Sequence, residues 1–202
     1  DRRQSMSLRT YQTDLLHRLR GELRTHDRVL AVLPTGGGKT RIFCEIAAMA
    51  RANGANVKIL VHRRELLEQT PDKYVQTIQS WVPDGEDLVI VDEAHHSCAR
   101  TWKAKILRCK KVLGFTATPQ RLDGGGLNVV FDAMVEGPNT ATLIRGGYLS
   151  EYKLFCPPGQ PDIKGLARKD GDYPRAKLSE RTSESKVVAA AVKNWKLLSG
   201  GR

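Results

Sequence analysis

No apolar run in this 202-residue chain approaches the roughly 18 residues that a membrane-spanning helix needs, so no membrane role is expected. The opening residues Asp1-Arg2-Arg3-Gln4-Ser5 are polar and lead into no apolar core, so no secretory leader is expected either. Cysteine is scarce. Cys44, Cys98, Cys109 and Cys156 form no C-x-x-C pair and show no zinc spacing, which points to free thiols in a reducing compartment. The H-E-x-x-H arrangement of a zinc hydrolase is missing, although His95 and His96 stand beside acidic residues. Acidic residues are outnumbered, 22 Asp and Glu against 33 Lys and Arg, for a formal net charge of +11. Such a surface attracts polyanions, nucleic acid most commonly, but ordinary soluble proteins also carry this balance.

Short aliphatic runs alternate with helical stretches. Val29–Leu33, Val57–Val61, Leu88–Val91 and Val112–Phe115 read as strands buried on both faces, with Tyr74–Ile78 a weaker candidate. Thr10–Leu23 places Tyr11, Leu15, Leu16, Leu19 and Leu23 near a 3.6-residue period, and Lys39–Arg51 and Ser185–Leu198 also read as helices. The alternation predicts an α/β fold with a mainly parallel central sheet flanked by helices. The chain from Tyr74–Ile78 to Leu88–Val91 is short for a parallel crossover and contains Pro83 and Gly85. Together with the abrupt Thr70-Pro71-Asp72-Lys73, it suggests residues missing near 70–73 and 80–87. Cys156-Pro157-Pro158-Gly159 is a turn-rich break, which divides the chain into a domain over residues 1–157 and a second segment over residues 158–202. Residues 159–184 are polar with little periodicity and read as a linker or exposed hairpin.

Two local patterns carry chemistry. Between the strand ending at Leu33 and the helix starting near Lys39 lies Pro34-Thr35-Gly36-Gly37-Gly38. Glycines let successive backbone N–H groups turn toward one anion, and the helix that follows adds its positive end. Lys39 can reach the β- and γ-phosphates of a nucleotide, and the Thr40 hydroxyl can hold Mg²⁺. Leu33 stands where the strict phosphate-loop pattern has its first glycine. Farther on, Leu88–Val91 delivers Asp92-Glu93-Ala94-His95. Asp92 suits Mg²⁺, and Glu93 suits orienting and deprotonating the water that attacks a γ-phosphate. Alternation of side chains along a strand would point the two acids to opposite faces. His95 reads as a polar link from this site to neighbouring motifs, and His96 as structural.

The motif series resembles the superfamily-two DEAD/H-box helicases, with a closer likeness to the DEAH-type bacterial and phage branch related to repair and restriction-enzyme motor subunits. The likeness runs over residues 8–157, in family order. Leu8-Arg9-Thr10-Tyr11-Gln12 looks like the adenine-reading motif, in which Gln12 would bond the adenine edge and Arg9 would help hold the pocket. His62-Arg63-Arg64-Glu65-Leu66 and Val75-Gln76-Thr77-Ile78-Gln79 are similar to motifs that contact the nucleic-acid backbone, through Arg63, Arg64, Thr77 and Gln79. Gly114-Phe115-Thr116-Ala117-Thr118-Pro119 resembles the Thr-Ala-Thr motif, in which Thr116 and Thr118 couple nucleotide state to nucleic-acid binding.

The resemblance implies a RecA-like phosphate-loop domain that uses ATP and Mg²⁺ and grips DNA or RNA, DNA being favoured, mainly by its backbone. It implies a cytoplasmic setting in a bacterial or phage-infected cell. It also implies a second RecA-like domain that supplies arginine fingers and half of the nucleic-acid track. No candidate for that domain is visible, and residues 158–202 read as the linker and helix leading toward it. An arginine finger contributes about 10³–10⁵ in rate, so the fragment alone is expected to bind ATP·Mg²⁺ weakly and to hydrolyse it slowly, if at all. Arg100–Lys111 carries Lys103, Lys105, Arg108, Lys110 and Lys111, which suits either a phosphate track or a solvated helix face, while Trp102 reads as a packing residue. A phosphotransferase acting on a small molecule and a non-catalytic ATP-gated nucleic-acid module remain as alternatives.

Overall fold

Five of the six strands seen in the computed structural model grow from the aliphatic runs of the sequence. They are β1 Arg28–Val32, β2 Val57–Val61, β3 Val75–Thr77, β4 Leu88–Val91 and β5 Val112–Thr116, joined by β6 Ala133–Glu136. The structure describes residues 7–61, 74–119, 125–154, 163–167, 173–182 and 185–200. Contacts divide the chain into one unit of residues 1–121 and 126–150 and another of residues 122–125 and 151–202.

In the first unit the strands form one sheet in the order β3-β2-β4-β5-β1-β6, and every pair is parallel. Side-chain alternation sends Val29, Ala31, Ile59, Ile90, Leu113 and Phe115 into one apolar cluster with helices α1 Thr10–Thr25 and α2 Lys39–Ala52. Leu30, Leu60, Val89, Val91 and Val112 enter a second cluster with Trp81, Phe131 and helix α3 Arg100–Ile106. A sheet covered on both faces is why these strands lack a polar alternation. Each fully buried Leu or Ile in these layers contributes about 1.5–3 kcal/mol. Helix α1 packs through Leu15, Leu16 and Leu19, with Gln12 buried on the same face. A short helix α4, Thr140–Arg145, starts at Asn139, whose side chain accepts the Thr142 N–H at 2.9 Å, a standard N-cap. Among the described residues, Cys44, Cys98 and Cys109 form no disulfide, and Cys156 lies outside the described residues.

The crossover between β3 and β4 is short. Both strands flank β2, so residues 78–87 pass a single strand without a helix. Two strand spacings amount to about 10 Å, which ten residues of extended chain can reach. Its shape is held from inside. Ile78 and Trp81 are buried, Trp81 Nε1 donates to Glu86 Oε1 at 2.7 Å, and the Asp84 N–H donates to Glu86 Oε2 at 2.9 Å. Burial pushes the Glu86 carboxyl up, but these bonds outweigh it and hold the group below its ordinary value. Residues 70–73 lie outside the described residues.

The second unit contributes helix α5 Arg175–Thr182 and helix α6 Ser185–Ser199. The stretch expected as a linker or hairpin thus contains α5. Its sequence has one large apolar residue, Leu178, so periodicity had almost nothing to register. No helix among the described residues is long and apolar enough to cross a membrane.

Candidate functional site

Strands β1, β5 and β4 are neighbours and parallel, so the segments leaving their C-terminal ends emerge along one edge of the sheet. Those segments are Leu33–Thr40, Thr116–Thr118 and Asp92–His95. The Leu33 N–H donates to the Thr116 carbonyl at 3.0 Å and ties the first two together. The carboxyl edge of an open α/β sheet is where such folds bind ligands.

The loop after β1 closes on itself through a bond from the Gly37 N–H to the Pro34 carbonyl at 3.0 Å. Gly38 begins α2 with a left-handed backbone, φ 83°. A side chain there would be strained and would also strike the amide of Gln12, so both conformation and close approach demand glycine. Lys39 is half-buried and, among the described residues, its ammonium donates to the Leu33 carbonyl of its own loop, at a long 3.3 Å. The side chain of Thr40 is exposed in the first turn of α2. Pro34 is half-buried, and Thr35 and Gly36 are exposed at the loop's tip.

The acidic segment departs from the simple strand expectation. β4 ends at Val91, although the Asp92 N–H still donates to the Leu60 carbonyl of β2 at 2.9 Å. Glu93 is left-handed, φ 49°, and alone has positive φ among the described non-glycine residues. The two acids therefore diverge through a tight turn rather than through strand alternation. Such a backbone costs of order 1–3 kcal/mol and persists where surrounding structure enforces it. Asp92 is buried, and its carboxylate accepts the Glu93 N–H at 2.9 Å. Burial raises the Asp92 carboxyl above its ordinary value and the Glu93 charge adds to this. The Glu93 N–H and the positive charges of Lys39 and a protonated His95 oppose it.

From Glu93 a polar chain runs to β5. His95 Nδ1 lies 3.4 Å from Glu93 Oε2 and 3.1 Å from Thr116 Oγ1. Thr116 Oγ1 donates to the Thr118 carbonyl at 3.0 Å and accepts the Thr118 N–H at 3.1 Å. A hydroxyl has one proton, so when Thr116 donates it to Thr118 the contact with His95 is a hydrogen bond in the Nδ1–H tautomer. His95 thus stands between an acid of β4 and the threonines of β5. His96 packs against both His95, at 4.1 Å between ring centroids, and Trp102.

Beside the loop lies a cavity of about 520 Å³ lined by Ser7, Arg9, Gln12, Gly36, Gly38 and Arg41. Its size falls within the usual range for a small-molecule site. Gln12 is held at both ends: its Oε1 accepts the Arg9 N–H at 2.9 Å and its Nε2 donates to the Gly37 carbonyl at 3.2 Å. The Tyr11 hydroxyl donates to the same carbonyl at 2.9 Å. The upstream motif and the glycine loop are thereby one assembly. Ser7, Tyr11 and Arg41 were missed as site residues. Arg41 directly follows Thr40, and its place in the first turn of α2 was the available signal.

The backbone-contact candidates divide. Arg63 and Arg64 lie outside the described residues. Thr77 ends β3, where its Oγ1 lies 2.8 Å from Ser80 Oγ, and Gln79 is exposed in the turn that follows. The basic run is largely committed to the fold. Lys105 Nζ donates to the carbonyls of Ile78 at 2.9 Å and Gln79 at 3.2 Å, and to that of Trp81. Lys110 pairs with Asp87 at 3.0 Å and Lys111 with Asp27 at 2.8 Å.

The model of the family described as type III restriction enzyme, res subunit, matches residues 5–82 and 75–121. A 51.5 kDa protein of a Lactococcus phage is 32% identical over 80% of this chain and 40% of the relative. IRC3 of Saccharomyces cerevisiae, whose name gives ATP-dependent helicase as a provisional assignment, is 28% identical over 93% of this chain and 34% of its own length. The chain thus spans well under half the length of these relatives. Among solved structures, the type ISP restriction-modification enzyme LlaGI, in complex with a DNA substrate mimic, superimposes with TM-score 0.56 at 15% identity. That match covers 70% of this chain and 21% of LlaGI. The UvsW helicase of bacteriophage T4 superimposes with TM-score 0.52 at 18% identity, covering 66% and 61% respectively. The family match spans more than half of the chain and the parallel sheet agrees with the RecA-like fold of the solved neighbours, so this chain belongs to the type III restriction enzyme res-subunit family.

Proposed function

We propose that the first unit is the ATP·Mg²⁺-binding half of a nucleic-acid-dependent helicase or translocase. The observation that carries the reading is the convergence of three segments at neighbouring strand ends, joined by the Glu93–His95–Thr116–Thr118 chain. The residues suit the absent groups. Glycine-loop N–H groups and the start of α2 accept an anion, and Lys39, held by one long bond, is able to exchange the Leu33 carbonyl for β- and γ-phosphate oxygens. Mg²⁺ usually takes one or two carboxylates plus phosphates and water, and Asp92 with Thr40 provides that modest donor set. When bound, the ion neutralises charge developing on the transferred phosphoryl group. Gln12 keeps one N–H and one lone pair for the adenine edge, and Arg9 borders the same cavity. Glu93 orients the attacking water and takes its proton. His95 passes the state of that acid to Thr116 and Thr118.

Thr77 and Gln79 at the end of β3, with Arg63 and Arg64, serve backbone contacts to nucleic acid, DNA being favoured. The second RecA-like domain, contributed by the rest of a longer parent chain, completes the ATP site. Residues 158–202 form the connection toward it. The test is ATPase activity of a parent protein carrying this chain, with and without DNA or RNA. Strong stimulation is expected, with Glu93→Gln binding ATP normally but turning it over at least about 100-fold more slowly. Equal rates with and without nucleic acid would sink the motor reading, and normal turnover by Glu93→Gln would remove the base assignment. A small-molecule phosphotransferase would instead transfer phosphate to an acceptor and ignore nucleic acid.

A further inference from the structure

The residue pair that borders the base end of the cavity does not stand alone. Arg9 enters from the residue before α1, and it has no acceptor with which to cap that helix. Its guanidinium instead lies over the ring of Tyr148, 5.2 Å from the centroid, with Nη1 3.4 Å from the Tyr148 carbonyl oxygen. The same ring meets Tyr11 edge-on at 4.9 Å. Tyr11 in turn holds the Gly37 carbonyl, at 2.9 Å. One aromatic side chain therefore braces both the arginine of the cavity and the tyrosine that grips the glycine loop.

The placement of Tyr148 is itself built by the chain. Helix α4 ends with Gly147 in the left-handed region, φ 69°. The Gly147 N–H bonds the Ile144 carbonyl at 2.9 Å, and the Tyr148 N–H bonds the Leu143 carbonyl at 2.9 Å. This is the Schellman pattern, which satisfies orphan carbonyls and turns the chain sharply. Leu143 is buried, so the turn is anchored in the core. Leu149 comes so near Gly36 that a Cβ there would lie 2.9 Å from its Cδ2. The turn after α4 thus touches the site at Arg9, Tyr11 and Gly36.

We propose that Tyr148 is a positioning residue for recognition of the nucleotide base, acting by holding Arg9 against the cavity beside Gln12. This rests on reading the cavity as the base end of a nucleotide site. Arg9 lines the cavity, whereas the Gly37 carbonyl that Tyr11 holds is also held by Gln12, so loss of the Tyr148 ring falls mainly on the base and leaves the glycine loop anchored. A cation over an aromatic face contributes enough that its loss changes affinity by up to about tenfold.

The test is equilibrium binding to the 202-residue chain of three probes: ADP, GDP and inorganic tripolyphosphate. In the unmodified chain ADP should bind more tightly than GDP. Tyr148→Ala should weaken ADP by about tenfold and narrow the ADP-to-GDP ratio, leaving tripolyphosphate within about twofold. Tyr148→Phe keeps both the ring and the backbone carbonyl and should restore the ADP preference. An unchanged ADP-to-GDP ratio in Tyr148→Ala would overturn the assignment while the nucleotide site stands. A parallel loss of tripolyphosphate binding would show a merely structural role and overturn it too. Half a site binds weakly, so the titrations extend to millimolar probe; if the unmodified chain binds none of the probes there, the nucleotide reading itself fails.

Discussion

Lys39 and Lys105 are the same residue type on the same unit, yet their surroundings differ completely. Lys39 follows a run of glycines, and its ammonium has one bond, a 3.3 Å approach to Leu33. Lys105 follows no recognisable motif, and its ammonium is shared among the carbonyls of Ile78, Gln79 and Trp81. The first cation can trade its partner for a ligand at little cost. The second is committed to closing a turn whose carbonyls have no strand to pair with. Charge in a sequence therefore does not by itself mark an anion site. What distinguishes the two is how many protein acceptors are already spent on each.

Three substitutions sharpen this contrast. Lys39→Ala should have the largest effect on ligand binding, weakening nucleotide by at least about 100-fold, since charge-assisted bonds to phosphate are lost. Its thermal unfolding midpoint should stay close to that of the parent, and titration with a fluorescent nucleotide alongside a melt would show both. If Lys39→Ala instead unfolds early, the lysine is structural and the contrast collapses. Lys105→Ala should do the reverse. It strips the shared donor from the partly buried carbonyls of Ile78 and Trp81 and the exposed carbonyl of Gln79, and should cost about 1–3 kcal/mol in denaturant unfolding, with nucleotide affinity unchanged. A stable Lys105→Ala variant would mean that water replaces the ammonium.

The smallest expected effect concerns Asp92. Its folded-state carboxyl is raised by burial, so over the interval from its ordinary value up to the raised one the folded state binds more protons than the unfolded state. Stability contributed by this group accordingly falls as pH rises through that window, and the cost is fully present above it. Asp92→Asn removes the cost while leaving an oxygen for the Glu93 N–H, so it should raise the melting midpoint at pH 7. The gain should vanish below the ordinary carboxylate value of 3.8, where the acid is protonated in both states. Melts of both proteins across pH would read it, and a constant difference at all pH values would assign the effect to packing.

The two units differed in how much could be read in advance. Strands β1, β2, β4 and β5 were legible because full burial on both faces demands runs such as Leu88-Val89-Ile90-Val91. β6, Ala133-Met134-Val135-Glu136, was not, because an edge strand with one buried residue has no such run. Helix α5 was missed for a related reason, its single large apolar residue. How far the connection at 78–87 must reach was not legible, because strand order was unknown. Once β3 and β4 both flank β2, the distance is small. Among the candidate site residues, Gly38, Lys39, Asp92 and Glu93 could be singled out in the sequence because a glycine loop and an acidic strand end are contiguous patterns. The left-handed turn at Glu93 was not, since nothing in Asp-Glu-Ala-His demands it locally.

What the sequence by itself determined is the inventory at each strand end: a glycine loop with Lys39 and Thr40 after β1, acids after β4, threonines after β5. These are short-range features, dictated by backbone freedom, hydrogen-bonding groups and apolar period within a few residues. The tertiary structure alone decided which of them meet. It set β5 between β1 and β4 so that His95 bridges to Thr116, it spent Lys105 on a turn, and it brought Tyr148 to Arg9 across 139 positions. Such contacts depend on strand order and on core packing shared by distant segments, and no local pattern encodes either.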